Sequence, residues 1–107
     1  MSSSDYQIQS VLQAVPRDEF IACPDLADRL SGHSIPTRAT VLRILRMLPA
    51  ITATQRVLYV GGGSGYVPAV LAQLADHVCV VEKQPQVADI AATNLARLGV
   101  TNTELVV

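Results

Sequence analysis

Two short runs of apolar residues stand out in the second half of the chain. They are VLYV at residues 57–60 and VCVV at residues 78–81, each preceded by polar positions. Continuous apolar runs rich in β-branched side chains are typical of strands that are covered on both faces in a parallel sheet. We therefore predict two buried parallel strands at these positions, with Cys79 as a small core residue of the second.

The stretch between the two runs repeats its apolar residues at helical spacing. Val67, Val70, Leu71 and Leu74 fall on one face, and Pro68 lies in the first turn, where a missing N–H costs least. A helix that joins two parallel strands takes a right-handed crossover. Residues 56–82 therefore predict a strand, a loop, a helix and a second strand.

Helical spacing recurs in three other stretches of the chain. The predicted apolar faces are Ile8, Val11, Leu12 and Val15, before Pro16; Val41, Leu42, Leu45 and Leu48, after Thr37; and Val87, Ile90, Ala91, Leu95 and Leu98, between Pro85 and Gly99. Residues 15–20 predict a proline-opened turn that Phe20 anchors, and residues 24–30 predict a short helix. A third strand is expected at residues 105–107, opened by Thr103 or Glu104.

Strands that alternate with helices indicate an α/β fold. The chain has 107 residues, half of them hydrophobic, so we expect one compact domain. Within it, residues 1–50 form a helical extension and residues 51–107 form the sheet-containing part.

Glycines cluster in the loop that follows the first apolar run, at positions 61, 62, 63 and 65. A sharp turn from strand to helix needs positive φ at some positions, and bare backbone lets a ligand approach closely. The N-terminus of the following helix favours a polar or anionic ligand group. Glu82 ends the second run 21 residues after Gly61, and an acid about 20 residues after the first glycine is the usual partner of ribose hydroxyls. This unit predicts a nucleoside-binding site.

The spacing of the glycines discriminates between nucleoside ligands. The dinucleotide fingerprint requires glycines at the first, third and sixth positions, but the sixth position from Gly61 is Tyr66. This argues against a nicotinamide-dependent oxidoreductase. The observed G-x-G-x-G spacing resembles the first motif of Rossmann-like S-adenosylmethionine-dependent methyltransferases. An ordinary tight turn beside a surface glutamate is the structural alternative.

Composition and charge argue against several kinds of partner and site. The net charge of −1, with one Phe, three Tyr and no Trp, offers neither a basic surface nor a stacking platform for nucleic acid. The apolar runs are far shorter than the ~18 residues of a membrane span, and no signal peptide is evident. Two cysteines without metal-type spacing argue against a disulfide or a zinc site. We expect no metal and a cytoplasmic location.

Three stretches together resemble the protein-L-isoaspartate (D-aspartate) O-methyltransferase family. They are VPRDEF at residues 15–20, RVLYVGGGSGY at residues 56–66, and HVCVVEK at residues 77–83 followed by NLARLG at residues 94–99. The resemblance covers nearly all of this chain but about the first half of the family's length. It implies a partial Rossmann-like methyltransferase fold with about three parallel strands in the order 3-2-1 and flanking helices.

The resemblance also implies a reaction and a set of residues. The family transfers a methyl group from S-adenosylmethionine to the free α-carboxylate of an isoaspartyl residue in a damaged protein. A carboxylate is already a nucleophile, so the reaction needs positioning more than acid–base catalysis. The implied catalytic residue is Thr37, where the family has a serine hydroxyl; a helix N-cap is the alternative role. The implied cofactor-binding residues are Gly61, Gly62, Gly63, Ser64, Gly65, Tyr66, Glu82 and Lys83.

Two departures from the family pattern lead to further expectations. Tyr59 occupies the position of a family acid that helps to hold the methionine end of the cofactor, so cofactor binding should be weaker. The family continues into four more strands, one of which pairs with the strand at residues 57–60. In this chain that edge is open, and an open apolar edge favours pairing with a second copy as a homodimer or a higher assembly. The alternative is that these residues are a truncated part of a longer protein, with doubtful activity on their own. The alternative function is a catalytically inactive half-fold that binds a nucleoside or mediates dimerisation.

Overall fold

The computed structural model describes residues 5–21, 35–61 and 63–107 of the chain. Within these ranges the elements are α1 (Asp5–Ala14), α2 (Arg17–Ile21), α3 (Arg38–Met47), β1 (Arg56–Val60), α4 (Tyr66–Leu74), β2 (His77–Val81), α5 (Pro85–Arg97) and β3 (Thr103–Val106). The helix predicted at residues 24–30 lies outside the described residues. A division of the chain at residue 50 stays a prediction.

The strands form one parallel sheet in the order β1-β2-β3. Leu58 of β1 is opposite Cys79 of β2, and Cys79 is opposite Glu104 of β3. The α/β fold and the 3-2-1 strand order are therefore confirmed. Since each parallel connection crosses over with the same hand, α4 and α5 are expected on the same face of the sheet.

One face of the sheet lies against a continuous hydrophobic core. Val78 and Val80 are fully buried there, and α4 supplies seven buried residues of its nine. The N-terminal helices extend the same core through Ile8, Phe20 and Val41. Residues of the helical extension and of the sheet therefore share one interior.

The opposite face of the sheet is open, which corrects two predictions. Leu58 is 65% exposed and Val60 is 73% exposed, so β1 is covered on one face only. Cys79 is half-exposed rather than a core residue, and its Sγ lies 3.7 Å from Oε1 of Glu104. An apolar run in the sequence does not reveal that the helices pack on one side of the sheet.

The N-terminal segment also differs in detail from the prediction. Residues 17–21 form the short helix α2 rather than a turn, although Phe20 is the buried anchor that was expected. Leu48 follows the last residue of α3 and is 42% exposed, so it does not join the apolar stripe of that helix. Across the described part of the chain, no helix is long and apolar enough to span a bilayer.

Candidate nucleoside-binding site

The loop after β1 and the end of β2 meet at the carboxyl edge of the sheet. The N–H of Gly61 donates to the carbonyl oxygen of Val81 over 2.7 Å, and the N–H of Glu82 donates to that of Val106 over 2.9 Å. The glycine loop and Glu82 are therefore neighbours. In open α/β sheets this edge is where ligands bind.

Three glycines of the loop adopt conformations that disfavour any other residue. Their φ angles are 86° at Gly61, 55° at Gly63 and 94° at Gly65. A Cβ atom at Gly61 or Gly63 would meet nothing within 4 Å, whereas a Cβ at Gly65 would lie 3.3 Å from the carbonyl oxygen of Ala91. The first two glycines thus present bare backbone to open space, and the third packs against α5. Gly62 lies outside the described residues.

Ser64 is held by a side chain that the sequence analysis did not single out. Ser64 is buried, and its carbonyl oxygen accepts a 3.0 Å hydrogen bond from Nδ2 of the buried Asn94. Nη2 of Arg97 donates to Oδ1 of Asn94 over 3.2 Å, and the same guanidinium pairs with the Glu19 carboxylate at 2.7 Å. The available signal was a polar residue at position 94, within the predicted buried face of α5.

Tyr66 begins α4, and its side chain lies in the core rather than beside the open space at the loop. Its ring is 5.7 Å from that of Phe20, centre to centre, and the guanidinium carbon of Arg17 lies 6.0 Å from its centre. Its hydroxyl is buried and makes no hydrogen bond of ordinary geometry with the described residues, although Arg38 lies near it. Burial raises the pKa of Tyr66 above its usual 10.0, an effect that the nearby charges of Arg38 and Arg17 oppose.

Glu82 is 5% exposed, so it is not a surface residue. Its Oε2 accepts a 2.9 Å hydrogen bond from the N–H of Gln84, just before α5. Lys83 is exposed beside it. The carboxylate is therefore oriented by the start of α5, at the end of β2 beside the glycine loop.

Thr37 is the N-cap of α3, the alternative role that the sequence analysis left open. Its Oγ1 accepts a hydrogen bond from the N–H of Thr40 over 3.2 Å and donates to Oγ1 of Thr40 over 3.0 Å. Immediately before it, the carbonyl oxygens of Ile35 and Pro36 accept hydrogen bonds from Arg17, each 2.9 Å long. Whether Thr37 also serves an acceptor carboxylate stays a prediction.

Tyr59, at the position of the family acid, lies on the core-facing side of β1. It is partly buried against the hydrophobic core, and burial raises the pKa of its hydroxyl. Its side chain therefore contributes to packing. The described part of the chain contains no group of three or more His, Cys, Asp or Glu arranged to hold a metal ion.

A glycine loop at the carboxyl end of β1, beside an acid that ends β2 of a parallel sheet, defines a class of protein. This is one half of a Rossmann-like domain, the half in which such domains hold a nucleoside, and its loop has the spacing of a methyltransferase. The sequence model of the protein-L-isoaspartate(D-aspartate) O-methyltransferase family matches residues 2–107. The chain belongs to this family.

Curated relatives agree with the family model. Over 112 residues the chain is 34% identical to the protein-L-isoaspartate O-methyltransferase of Methanoculleus marisnigri, covering 96% of this chain and 50% of that protein. Over 110 residues it is 36% identical to the protein of the same name from Bradyrhizobium sp., covering 95% and 51%. The chain thus spans about half the length of the curated relatives it matches.

A solved structure supports the fold. It is titled protein-L-isoaspartate O-methyltransferase, and it superposes on this chain with a TM-score of 0.73 at 22% sequence identity. The superposition covers 94% of this chain and 36% of the other. The three parallel strands and their helices thus match part of the fold of that structure.

Replacement of Gly65 by alanine should destabilise the protein more than replacement of Gly99. Both residues have positive φ, which costs an L-residue about 1–2 kcal/mol. At Gly65 the added Cβ also meets the backbone of Ala91, whereas at Gly99 it meets nothing. We expect losses of about 2–5 and 1–2 kcal/mol, respectively, in urea unfolding. Equal losses would contradict the close packing of the loop on α5.

Replacement of Tyr66 by phenylalanine should preserve or increase stability at pH 7. The change removes a buried hydroxyl that makes no hydrogen bond of ordinary geometry, although Arg38 lies near it, and burying such a group costs about 1–3 kcal/mol. Removal of the whole ring in Tyr66→Ala should instead cost about 3–5 kcal/mol. Urea unfolding of both variants measures these effects, and a clear loss in Tyr66→Phe would reveal a partner for the hydroxyl.

The stability of the unaltered protein and that of Tyr66→Phe should also differ in their response to alkaline pH. Because burial raises the pKa of Tyr66 in the folded state, the unfolded chain ionises first, near pH 10. The free energy of unfolding should therefore fall as the pH rises from about 10 through the raised pKa, and Tyr66→Phe should show a smaller fall. Identical slopes would show that Tyr66 ionises normally in the folded protein.

Proposed function

We propose that this chain binds S-adenosylmethionine at the glycine loop and carries the cofactor-binding part of a protein-L-isoaspartate O-methyltransferase. The observation that supports this most directly is the open space at Gly61 and Gly63 beside the oriented carboxylate of Glu82. The residues present fit the cofactor, because bare backbone admits an adenosine and the two oxygens of a carboxylate offer about four acceptor sites, more than the bond from Gln84 uses.

Each part of the site has a separate role in this proposal. Glu82 accepts hydrogen bonds from the ribose hydroxyls, and Gly61 and Gly63 allow the nucleoside to lie against the backbone. Gly62, Ser64, Gly65 and Tyr66 complete the loop, and Lys83 lies at its rim. When bound, the cofactor supplies a methyl group activated by a sulfonium. The protein excludes water from it and fixes its orientation.

We propose an isoaspartyl-containing protein or peptide as the methyl acceptor. Its α-carboxylate needs no general base, in keeping with a site built from backbone and a single acid. Thr37 is the proposed residue that presents a hydroxyl to this carboxylate, which would require it to leave or share its bond with Thr40. The curated relatives described above are named for this activity.

A binding module without transfer activity is the second candidate, and Tyr59 favours it. Its ring packs on the core face of β1 at the position where the family has an acid for the methionine end of the cofactor. The two candidates differ in one assay, in which the chain is mixed with labelled S-adenosylmethionine and an isoaspartyl peptide. Transfer of label supports the enzyme, whereas binding without transfer supports the module.

Substitution of Glu82 should weaken binding of S-adenosylhomocysteine, the reaction product. Glu82→Gln keeps an oxygen for Gln84 but loses the charge, whereas Glu82→Ala loses both. We expect Glu82→Ala to cost about 1.5–3 kcal/mol of binding free energy per charged hydrogen bond lost, with Glu82→Gln intermediate. Isothermal titration calorimetry measures this.

The exposed Glu104 of β3 provides a matched control, and Glu104→Gln should bind as the unaltered protein does. The Glu82 variants must also be shown to be folded, because Glu82 anchors the start of α5. Unchanged binding by folded Glu82→Ala would remove Glu82 from the site. Absence of binding by the unaltered protein at millimolar ligand would overturn the proposed function.

We also propose that two copies associate through the open edge of β1. Among the described residues the strand lies at the edge of the sheet, and its exposed side chains Leu58 and Val60 form an apolar strip along it. Such an edge is a template for another strand.

We also propose a cytoplasmic location for the chain, which was predicted from its cysteine usage.

Lysine at Leu58 and Val60 should dissociate the dimer without unfolding the chain. Both side chains are largely exposed, so the substitutions add charge at the edge and leave the core intact. Sedimentation velocity at about 50 μM should change from dimer to monomer, because charged edge strands resist pairing. Met47→Lys, on the exposed surface of α3, should leave the dimer unchanged. A monomeric unaltered protein would contradict this assembly.

A further inference from the structure

Arg17 bonds to two successive carbonyl groups at the entrance to α3. Nε donates to the oxygen of Pro36 and Nη2 donates to the oxygen of Ile35, both over 2.9 Å. Pro36 is 19 positions and Ile35 is 18 positions away from Arg17 in the sequence. Charge-assisted hydrogen bonds are about twice as strong as neutral ones, and a guanidinium presents its donors as a rigid fork. Arg17 therefore fixes the segment that leads directly into Thr37.

The same side chain also lies near the ring of Tyr66, the first residue of α4. Its guanidinium carbon is 6.0 Å from the centre of the Tyr66 ring, and Tyr66 follows Gly65 at the end of the loop. Phe20, one turn further along α2, packs against the same ring. Arg17 is thus in contact with both the segment before Thr37 and the residue that ends the loop.

A second route connects α2 to the loop independently of Arg17. The Glu19 carboxylate pairs with Arg97, which donates to Asn94, whose Nδ2 holds the carbonyl oxygen of Ser64. Because this second set of contacts holds the glycine loop, loss of Arg17 should disturb residues 35–37 more than the glycine loop. The two sides can therefore be measured separately.

We propose that Arg17 is a positioning residue that holds the acceptor segment, residues 35–37, in register with the glycine loop. This inference rests on the proposed function, since it assumes that the loop binds the cofactor and that Thr37 lies near the acceptor carboxylate. A lysine cannot replace Arg17, because a single ammonium on a flexible stem does not reproduce the fork. Retention of the positive charge alone should therefore not be sufficient.

The test compares Arg17→Lys with Arg43→Lys, a matched change at an exposed arginine of α3. Calorimetry with S-adenosylhomocysteine should give dissociation constants within about twofold for both variants and the unaltered protein. The protein loaded with S-adenosylhomocysteine is then titrated with a fluorescent isoaspartyl peptide. We expect at least a tenfold weaker affinity in Arg17→Lys, about 1.4 kcal/mol, and no change in Arg43→Lys.

Amide hydrogen exchange gives a readout that does not depend on ligand. The N–H groups of Thr40 and Val41 donate to Thr37, so they report on the order of the α3 cap. Their exchange should accelerate at least about tenfold in Arg17→Lys, whereas amides in the centres of β2 and α5 should not change. If Arg17→Lys does not fold, Arg17→Ala supplemented with methylguanidinium tests whether a free guanidinium restores peptide affinity.

The outcomes separate this inference from the proposed function. If the unaltered protein binds neither S-adenosylhomocysteine nor the peptide, the proposed function is wrong and the role of Arg17 fails with it. If the unaltered protein binds both, but Arg17→Lys binds the peptide equally well and exchanges at the same rate, Arg17 is not a positioning residue. A uniform rise in exchange across the chain would also overturn it, since it would show a general loss of stability.

Discussion

The packing of α5 against the glycine loop is the contact on which the site depends. Gly65 lies so close to α5 that a single added carbon would meet the backbone of Ala91. Asn94, one turn further along the same helix, holds the carbonyl oxygen of Ser64. With the end of the loop fixed in this way, Gly61 and Gly63 are left facing open space. The lack of a side chain at Gly65 therefore lets the end of the loop lie directly against α5, and the open space is left at Gly61 and Gly63.

The same helix, α5, is also bonded to the N-terminal part of the chain. Arg97, at the end of α5, pairs with Glu19 across 78 positions of sequence. Arg17, on the same short helix as Glu19, then orders the entrance to α3. The glycine loop and the entrance to α3 are thus both held to α2, by two separate sets of polar contacts laid over a shared apolar core. The N-terminal helices are thus part of the site's support.

The features predicted from sequence are those whose physical cause is local. Apolar spacing within a few residues identified the strands and the long helices, and glycine spacing identified the positive φ angles of the loop. The resemblance to a known family supplied the strand order, which spacing alone does not determine. Helix α2 was missed because five residues are too few to show a period. Asn94 and Arg17 were missed because their partners lie 30 and 18–19 residues away.

The open face of the sheet was missed for a different reason: a strand's sequence records its own character but not what covers it. The position of this open face relative to the glycine loop matters for the two proposed functions, ligand binding and association. The loop is anchored to β2 through Gly61 and to α5 through Ser64, and neither contact uses the free edge of β1. Leu58 and Val60 face away from the core that supports Tyr66. The proposed ligand binding at the loop and the proposed association through β1 therefore use separate parts of the molecule, so a change at one should leave the other measurable.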